Sequence, residues 1–429
     1  MSDMPVEVLM DRAGRAVALA AVKMGMGYGS KISVLAGPGN NGGDGYVAAH
    51  YLRQRGIGVR VFAFSEPRTE AARTAAARVP TQPLAAPVDS DLIIDALFGG
   101  GFRAETQPVI GDWIRSPDRV LAVDIPSGVD PLTGEVAHGA FRAERTVTFG
   151  ALKTGLLLED GPGYTGAIEV ADIGLPSPDP AMCLVEESDA LLPERSRRAH
   201  KWSAGSVLVV GGAVGMTGAA VMAGRAALQF GAGAVGLAVP DSAAYVAAAT
   251  APELLHHRFE DLPDRYRVLV IGPGLGREHD DLATKLIATW SGPVVVDADA
   301  LSLVTEPDPK LVLTPHAAEF GRLGGGEPSP ENAVALARKL QATVLLKGNP
   351  TVIAGEDLPW IVNTGGPELA TIGSGDVLAG MIGALLAQGL EPAGAARTAA
   401  FWHGRAGAQL ATRTTVTAPA LIEEIGRIR

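Results

Sequence analysis

The sequence predicts an α/β protein built as two doubly wound domains. Three observations carry this. The chain has 429 residues, too many for one ordinary hydrophobic core, so two domains are the natural division. Short apolar runs alternate with helical patterns through both halves, as in parallel sheets joined by crossover helices. Run after run also stops at a glycine or polar loop, where open parallel sheets hold ligands beyond their strand ends. The composition narrows the class further. A net charge of −11 speaks against a nucleic-acid partner, which needs a basic face. The one cysteine, Cys183, makes no internal disulfide and fits a reducing cytoplasm. Asp3, Glu7 and Asp11 stand where a leader peptide would be basic, and no apolar run approaches a membrane span.

In chain order, Val6, Leu9, Met10, Ala13, Val17 and Ala20 fall at helical spacing, predicting an amphipathic helix packed on its own domain. Residues 32–36 read as a strand, 37–45 (GPGNNGGDG) as a loop, 46–55 as a helix stopped by Gly56, and 59–64 as the next strand. The loop contains GxGxxG, by itself a weak dinucleotide signal. Its asparagines and Asp44 are extra to what a tight turn requires. Residues 91–96 and 120–125 are further strands, ending near Asp95 and Asp124. The topology of a parallel sheet brings Asn41, Asp44, Asp95, Asp124 and Ser127 to one edge. Such oxygen-only groups suit a hard cation or a hydroxyl-bearing ligand.

Pro176, Pro178, Pro180 and Pro193 mark a stiff linker. The boundary is set near Ala190, giving domains 1–190 and 191–429. Beyond it, strands are predicted at 206–210, 267–271, 293–296, 311–313 and 343–346, with helices at 216–230, 331–340 and 394–412. The second half centres on Gly373-Ser374-Gly375-Asp376, followed by an apolar run over 377–390. That run gives three turns of buried helix, so the glycine loop lies on a helix N-terminus suited to phosphate. Asp376 is either a helix cap or a general base beside a bound phosphate. His316 and Lys347 stand at strand ends and read as site residues. His403 and Trp402 read as core packing.

The series GPGNNGGDG (37–45), DALFG (95–99) and DIPSGVD (124–130) resembles the NAD(P)H-hydrate epimerase domain, over about residues 6–175. The resemblance implies a Rossmann-like domain that interconverts the R and S epimers of hydrated NADH and NADPH. It implies hydrate binding by Asn40, Asn41, Gly42, Gly43 and Asp44, by Gly99, Gly100, Gly101, Phe102, Arg103, Ala104 and Glu105, and by Asp124. It also implies a potassium ion (K+) on Asn41, Asp95 and Ser127. The second half carries TGAA (217–220), GPGLG (272–276), VVDADAL (295–301), LTPHAAEF (313–320), LLKGNPT (345–351) and ELATIGSGDVLAG (368–380). From about residue 193 onward it resembles the ribokinase-like superfamily, and within it the ADP-dependent NAD(P)H-hydrate dehydratase. That implies nucleotide binding by Lys347, Gly348, Asn349, Pro350 and Thr351 and by 366–375, with Gly373, Ser374 and Gly375 forming the anion loop. Hydrate contacts would come from Ala219, Gly276, His316 and Asp376, and Mg2+ would accompany ADP. Ile372 and Gly366 depart from the family's usual residues beside this loop.

Together the two resemblances imply a bifunctional cytoplasmic enzyme that epimerises the hydrates and dehydrates the S form at the expense of ADP, releasing AMP and phosphate. Asp376 would be the base of the second domain, and Asp124, then Asp44, the proton-transfer group of the first. The expected partners are small molecules, hydrated NADH or NADPH and ADP, with no nucleic acid and no membrane, in a homo-oligomer. Two other readings stay open at this point. One is a ribokinase-like kinase of a vitamin-precursor alcohol. The other gives the first domain a binding role without catalysis.

Overall fold

The computed structural model describes residues 4–99, 108–115, 118–176, 179–355 and 357–428. The chain forms two compact units, Met1–Asp179 and Pro180–Arg429. Among the described residues no helix is long and apolar enough to cross a membrane.

The first unit runs α1 (Val6–Lys23), β1 (Lys31–Ala36), α2 (Asn40–Gln54), β2 (Gly58–Ala63), α3 (Glu70–Ala76), β3 (Thr81–Pro83), β4 (Leu92–Ala96), α4 (Pro108–Ile114), β5 (Val120–Val123), β6 (Arg145–Phe149), α5 (Pro162–Thr165) and β7 (Ala167–Ala171). Its strands lie in the order β3-β2-β1-β4-β5-β6-β7, and every pairing is parallel. The order reverses between β1 and β4, which opens a crevice at their carboxyl ends. Met10, Ala13, Val17 and Ala20 bury the inner stripe of α1, as their spacing requires.

One expectation changes here. The stretch Asn40–Gly45 is the opening of α2, not a loop. Its glycines serve close packing inside a helix. A Cβ on Gly42 would lie 1.9 Å from the Gly37 carbonyl oxygen, and one on Gly45 would lie 2.6 Å from the Ala96 side chain. Glycine costs helix stability, but here it lets the helix start settle onto the strand ends.

The second unit runs β8 (Cys183–Leu184), β9 (Ser206–Val210), α6 (Thr217–Gln229), β10 (Ala234–Val239), α7 (Asp241–Thr250), β11 (Leu255–Arg258), β12 (Val268–Ile271), α8 (Asp280–Thr289), β13 (Val294–Val296), β14 (Leu311–Leu313), α9 (Ala317–Arg322), α10 (Pro330–Leu340), β15 (Thr343–Leu346), β16 (Thr351–Ala354), β17 (Trp360–Val362), α11 (Ser374–Ala387), α12 (Pro392–Ala411) and α13 (Ala418–Ile428). The strand order is β11-β10-β9-β12-β13-β14-β15-β16-β17-β8. Pairing is parallel up to β15, then antiparallel from β15 to β16 and β16 to β17. The switch point lies between β9 and β12.

The proline-rich junction is not a free linker throughout. Leu184 pairs with Ile361, and the Trp402 indole donates to the Ala190 carbonyl at 2.8 Å. The compact units therefore divide between Asp179 and Pro180, ahead of Ala190. The residues after the division add a strand to the second sheet.

Helix α11 is apolar on nearly all sides, and such a helix must be covered all round. It is wedged between the sheet and α6 by small residues. A Cβ on Gly383 would lie 2.5 Å from Val270, and one on Gly380 would lie 2.1 Å from the Ala223 carbonyl oxygen. Gly389 (φ 100°) ends the helix, with the Leu390 amide donating back to Leu385, a Schellman-type stop. We expect Gly380→Ala to destabilise the second unit by about 1–3 kcal/mol, the usual cost of overpacking. Urea unfolding of the full chain would measure it, and a variant as stable as the parent would refute this packing.

Candidate active sites

In the first unit the site is assembled at the carboxyl ends of β1, β4, β5 and β6. Asp95 is the last residue but one of β4 and is fully buried. Its carboxylate accepts from the Ser127 amide at 2.7 Å, from the Ser127 hydroxyl at 2.6 Å and from the Leu97 amide at 3.3 Å. Burial pushes its pKa up to about 6 in spite of those donors. Ser127 in turn accepts from the Phe98 amide at 3.0 Å, and a Cβ on Gly99 would lie 3.4 Å from the Asn41 side chain. Asn41 thus lies against the loop that Ser127 holds. Both polar atoms of its buried side chain lack a partner among the described residues. Such orphaned groups cost about 1–3 kcal/mol each and call for an explanation. Asn40 lies outward and accepts from the Thr69 hydroxyl at 2.8 Å, while Gly43 packs against Met10. Gly100, Gly101, Phe102, Arg103, Ala104 and Glu105 lie outside the described residues.

Asp44 is buried at the start of α2. Burial first, and the charge of Asp124 second, hold its proton well above the ordinary carboxylate range. Asp124 follows β5 with φ 65°, a left-handed conformation that costs a non-glycine residue roughly 1–2 kcal/mol. Its Oδ1 accepts from the Lys153 ammonium at 2.6 Å, the Thr148 hydroxyl at 3.1 Å and the Phe149 amide at 3.4 Å. Lys153 was absent from the sequence reading. The available signal was its place in GALK, directly after the strand 145–149.

In the second unit the Gly373–Asp376 loop starts α11. Gly373 has φ 86°, and a Cβ there would lie 2.6 Å from Met222, so only glycine fits. The Ser374 amide donates to Thr371 at 3.3 Å and the Val377 amide to Gly373 at 3.1 Å. The amides of Gly375 and Asp376, between them, have no partner among the described residues. They are the free donors of a helix N-terminus, where an anion is favoured.

Lys347 stands over this loop. Its ammonium lies 3.4 Å from where a Cβ on Gly375 would be. It donates to Asp297 Oδ1 at 2.9 Å, and Glu319 lies at 3.8 Å. Burial works against the charged lysine, but Asp297, Glu319 and Asp376 outweigh it and raise its pKa. Asp297 is buried and also accepts from the Thr314 hydroxyl at 2.7 Å. Asp376 has its pKa pushed up to about 7, first by burial and then by the Asp297 charge, with Lys347 opposing. A carboxyl group poised near neutrality in an anion site fits proton transfer.

Lys347, Gly348, Asn349, Thr351, Ser374 and Gly375 line a cavity of about 580 Å³, within the usual range for small-molecule sites. Pro350 lies in the same loop and Gly373 at the loop's entry, off the cavity wall. His316 reaches the cavity too, but its Nδ1 caps α9, accepting from the amides of Ala318 and Glu319. Ala219, on α6, packs beside Gly274. The Gly276 amide donates to Asp299 at 3.0 Å. Both lie off the cavity, by the switch-point loops.

His403 is not simple core packing. It lines the cavity, and its Nε2 lies 3.1 Å from the Ser374 carbonyl oxygen and 3.2 Å from the Ser374 hydroxyl. A carbonyl only accepts, so Nε2 carries the hydrogen and donates. Burial lowers its pKa to about 4, so the ring is neutral and braces the anion loop from behind.

Residues 207–427 match the family model described as NAD(P)H-hydrate dehydratase, and residues 6–155 match the one described as YjeF-related protein N-terminus. The bifunctional NAD(P)H-hydrate repair enzyme Nnr of Moorella thermoacetica is 36% identical, over 95% of this chain and 88% of its own. That of Pyrobaculum aerophilum is 36% identical over 99% and 94%, and that of Mycobacterium leprae 38% over 95% and 90%. Among solved structures, the ADP/ATP-dependent NAD(P)H-hydrate dehydratase from Bacillus subtilis, co-crystallised with ATP and Mg2+, is 32% identical with TM-score 0.54, over 58% of this chain and 97% of that one. A ribokinase-like superfamily protein from Enterococcus faecalis is 25% identical with TM-score 0.55, over 58% and 95%. With both halves matched and full-length relatives above 35% identity, the chain belongs to the family of bifunctional NAD(P)H-hydrate repair enzymes.

Proposed function

We propose that this chain restores NADH and NADPH from their hydrates, with the second unit dehydrating and the first exchanging epimers. The carrying observation is that α11 opens with the free amides of Gly375 and Asp376, next to a cavity lined by Lys347 and Gly375, with the Asp376 carboxyl coupled to the Lys347 charge. Hydration puts a hydroxyl on the reduced ring, and hydroxide is a poor leaving group. Asp376 takes the proton of that hydroxyl as its oxygen attacks the terminal phosphorus of ADP. The bond to the AMP phosphate breaks, the ring nitrogen's lone pair then expels the new ester group as phosphate, and the neighbouring ring carbon gives up a proton to the released phosphate as the double bond re-forms. Lys347 and the loop amides hold the negative charge of the transferring group, the main electrostatic contribution in such sites. Mg2+, when bound with the nucleotide, neutralises its phosphates. The Bacillus subtilis neighbour's co-crystallisation with ATP and Mg2+ supports a nucleotide in the second unit, with Lys347–Thr351 and Gly373–Gly375 as its proposed contacts. The hydrate then lies toward Ala219, Gly276 and His316.

In the first unit, hydrate contacts fall to Asn40–Asp44, Gly99–Glu105 and Asp124. Asn41, Asp95 and Ser127 would hold K+. The all-oxygen set and the orphaned Asn41 amide oxygen suit a hard cation, which supplies a fixed positive charge beside the bound hydrate. The division into two compact units near 180 supports one activity on each sheet.

The decisive assay incubates the protein with mixed-epimer NADPH hydrate, Mg2+, K+ and limiting ADP, following the dihydronicotinamide absorbance. Full recovery, faster than spontaneous epimer exchange, is expected. Recovery that stops at the S fraction removes the epimerase. No recovery with ADP or ATP, and a stable phosphorylated product from an alcohol, would favour a small-molecule kinase. Asp376→Asn should lower dehydration by about 10²–10⁴-fold, the usual worth of a general base, and leave epimer exchange unchanged; undiminished dehydration removes Asp376 from the mechanism. Because the base must be ionised and its pKa is about 7, kcat/KM for dehydration should fall about tenfold per pH unit below that value and level off above it. A profile flat down to pH ~5, near ordinary carboxylate values, would contradict the assignment.

A further inference from the structure

Hydration of an enamine protonates the carbon β to nitrogen, so water adds to the carbon bonded to the ring nitrogen. The stereocentre of the hydrate therefore carries both a hydroxyl and a nitrogen. Inverting it by ring opening needs a proton acceptor at the oxygen and a proton donor at the nitrogen. The first unit offers two carboxyl groups in opposite settings, and environments that separate two carboxyl groups assign their roles.

Asp124 Oδ1 is occupied by three donors, Lys153 Nζ, Thr148 Oγ1 and the Phe149 amide. Its Oδ2 accepts no hydrogen bond among the described residues. Lys153 Nζ is itself braced by the Phe149 carbonyl oxygen at 2.9 Å, so the ion pair is fixed at both ends. Both side chains are about three-quarters covered, 27% and 21% exposed, unlike the fully solvated pairs that contribute little. The left-handed backbone at Asp124 is the kind of cost that persists where the surroundings dictate a side-chain direction. Asp44 has no hydrogen-bond partner among the described residues, and its burial raises its pKa well above the ordinary carboxylate range.

We propose that Lys153 is the positioning residue of epimer exchange, fixing the Asp124 carboxylate so that Oδ2 is the proton acceptor while Asp44 is the proton donor. Asp124 Oδ2 takes the hydroxyl proton and the carbon–oxygen bond becomes a carbonyl. The carbon–nitrogen bond breaks, its electron pair passes to the ring nitrogen, and that nitrogen takes the Asp44 proton. Rotation of the aldehyde and the reverse sequence close the ring on its other face and return both protons. No oxidant or co-reactant is consumed. The proposal rests on reading the first unit as the epimerase.

The test uses the full chain with K+, Mg2+, ADP and the purified R epimer of NADPH hydrate, so that absorbance reports R-to-S conversion. The same preparations are assayed on the S epimer, where Lys153 variants should match the parent. If the parent converts the R epimer no faster than the spontaneous rate, the epimerase reading itself fails. If the parent does convert it, Lys153→Met should lower kcat for the R epimer by about 100-fold with KM little changed. Lys153→Arg should recover much of the loss, and methylammonium should rescue Lys153→Ala saturably. In the Asp124→Asn background, Lys153→Met should cost nothing further, because the two act as one unit. A loss under about tenfold, or a loss that neither arginine nor methylammonium relieves, or one that multiplies with Asp124→Asn, overturns the proposal.

Discussion

Carboxylates taken out of water at the ends of strands and helices are what the rest of this chain is arranged around. Desolvating such an ion costs several kcal/mol unless donors replace the lost water. The chain answers that cost in two ways. Asp95 and Asp297 are held by donors, the first by Ser127 and Leu97, which offset only part of its burial, the second by Thr314 and Lys347. They are anchors that hold the loops carrying other groups. Asp44 is buried and Asp376 half-buried without such donors, so each keeps its proton to higher pH. Those are the carboxyl groups free to exchange protons with a ligand. In each unit an anchor and an exchanger sit on neighbouring elements of one sheet edge.

The second unit shows how packing turns this into geometry. Helix α11 can lie against both the sheet and α6 only because Gly380 and Gly383 omit side chains. That contact fixes where the helix begins, and so where the Gly375 and Asp376 amides point. Lys347, tethered by Asp297, places its ammonium over those amides. The neutral His403 ring fills the space behind Ser374 without adding a second positive charge. Fold and chemistry therefore depend on one packing arrangement.

Much of this was readable in the sequence because strand ends and glycine loops are local signals. The doubly wound architecture and the loop at Gly373–Gly375 follow from residues adjacent in the chain, and Asp95 and Ser127 each follow a legible strand of one parallel sheet. What escaped has long-range causes. Lys153 lies 29 positions from Asp124, and only the parallel pairing of β5 with β6 brings them together. His403 looked like packing because its partner, Ser374, lies on another helix. The helix start at Asn40 was hidden because a run of glycines signals a turn by composition, while the neighbouring strand ends decide that it is a helix. The antiparallel strands β16 and β17 likewise break a parallel pattern that local periodicity cannot distinguish.

The short strand β8 carries a consequence for how the chain can be divided. It pairs with β17 across Cys183–Leu184, and the residues after it are tied to α12. Arg397 donates to the Asp189 carbonyl at 3.2 Å, Trp402 donates to the Ala190 carbonyl, and Arg405 pairs with Glu187. A fragment starting at β9 would look complete by motif, yet would leave the backbone edge of β17 bare and these side chains without their acceptors. Bare sheet edges invite pairing with other chains. A dehydrating half isolated for crystallography or for domain swapping among relatives should therefore start ahead of Cys183, where the chain first enters the second sheet.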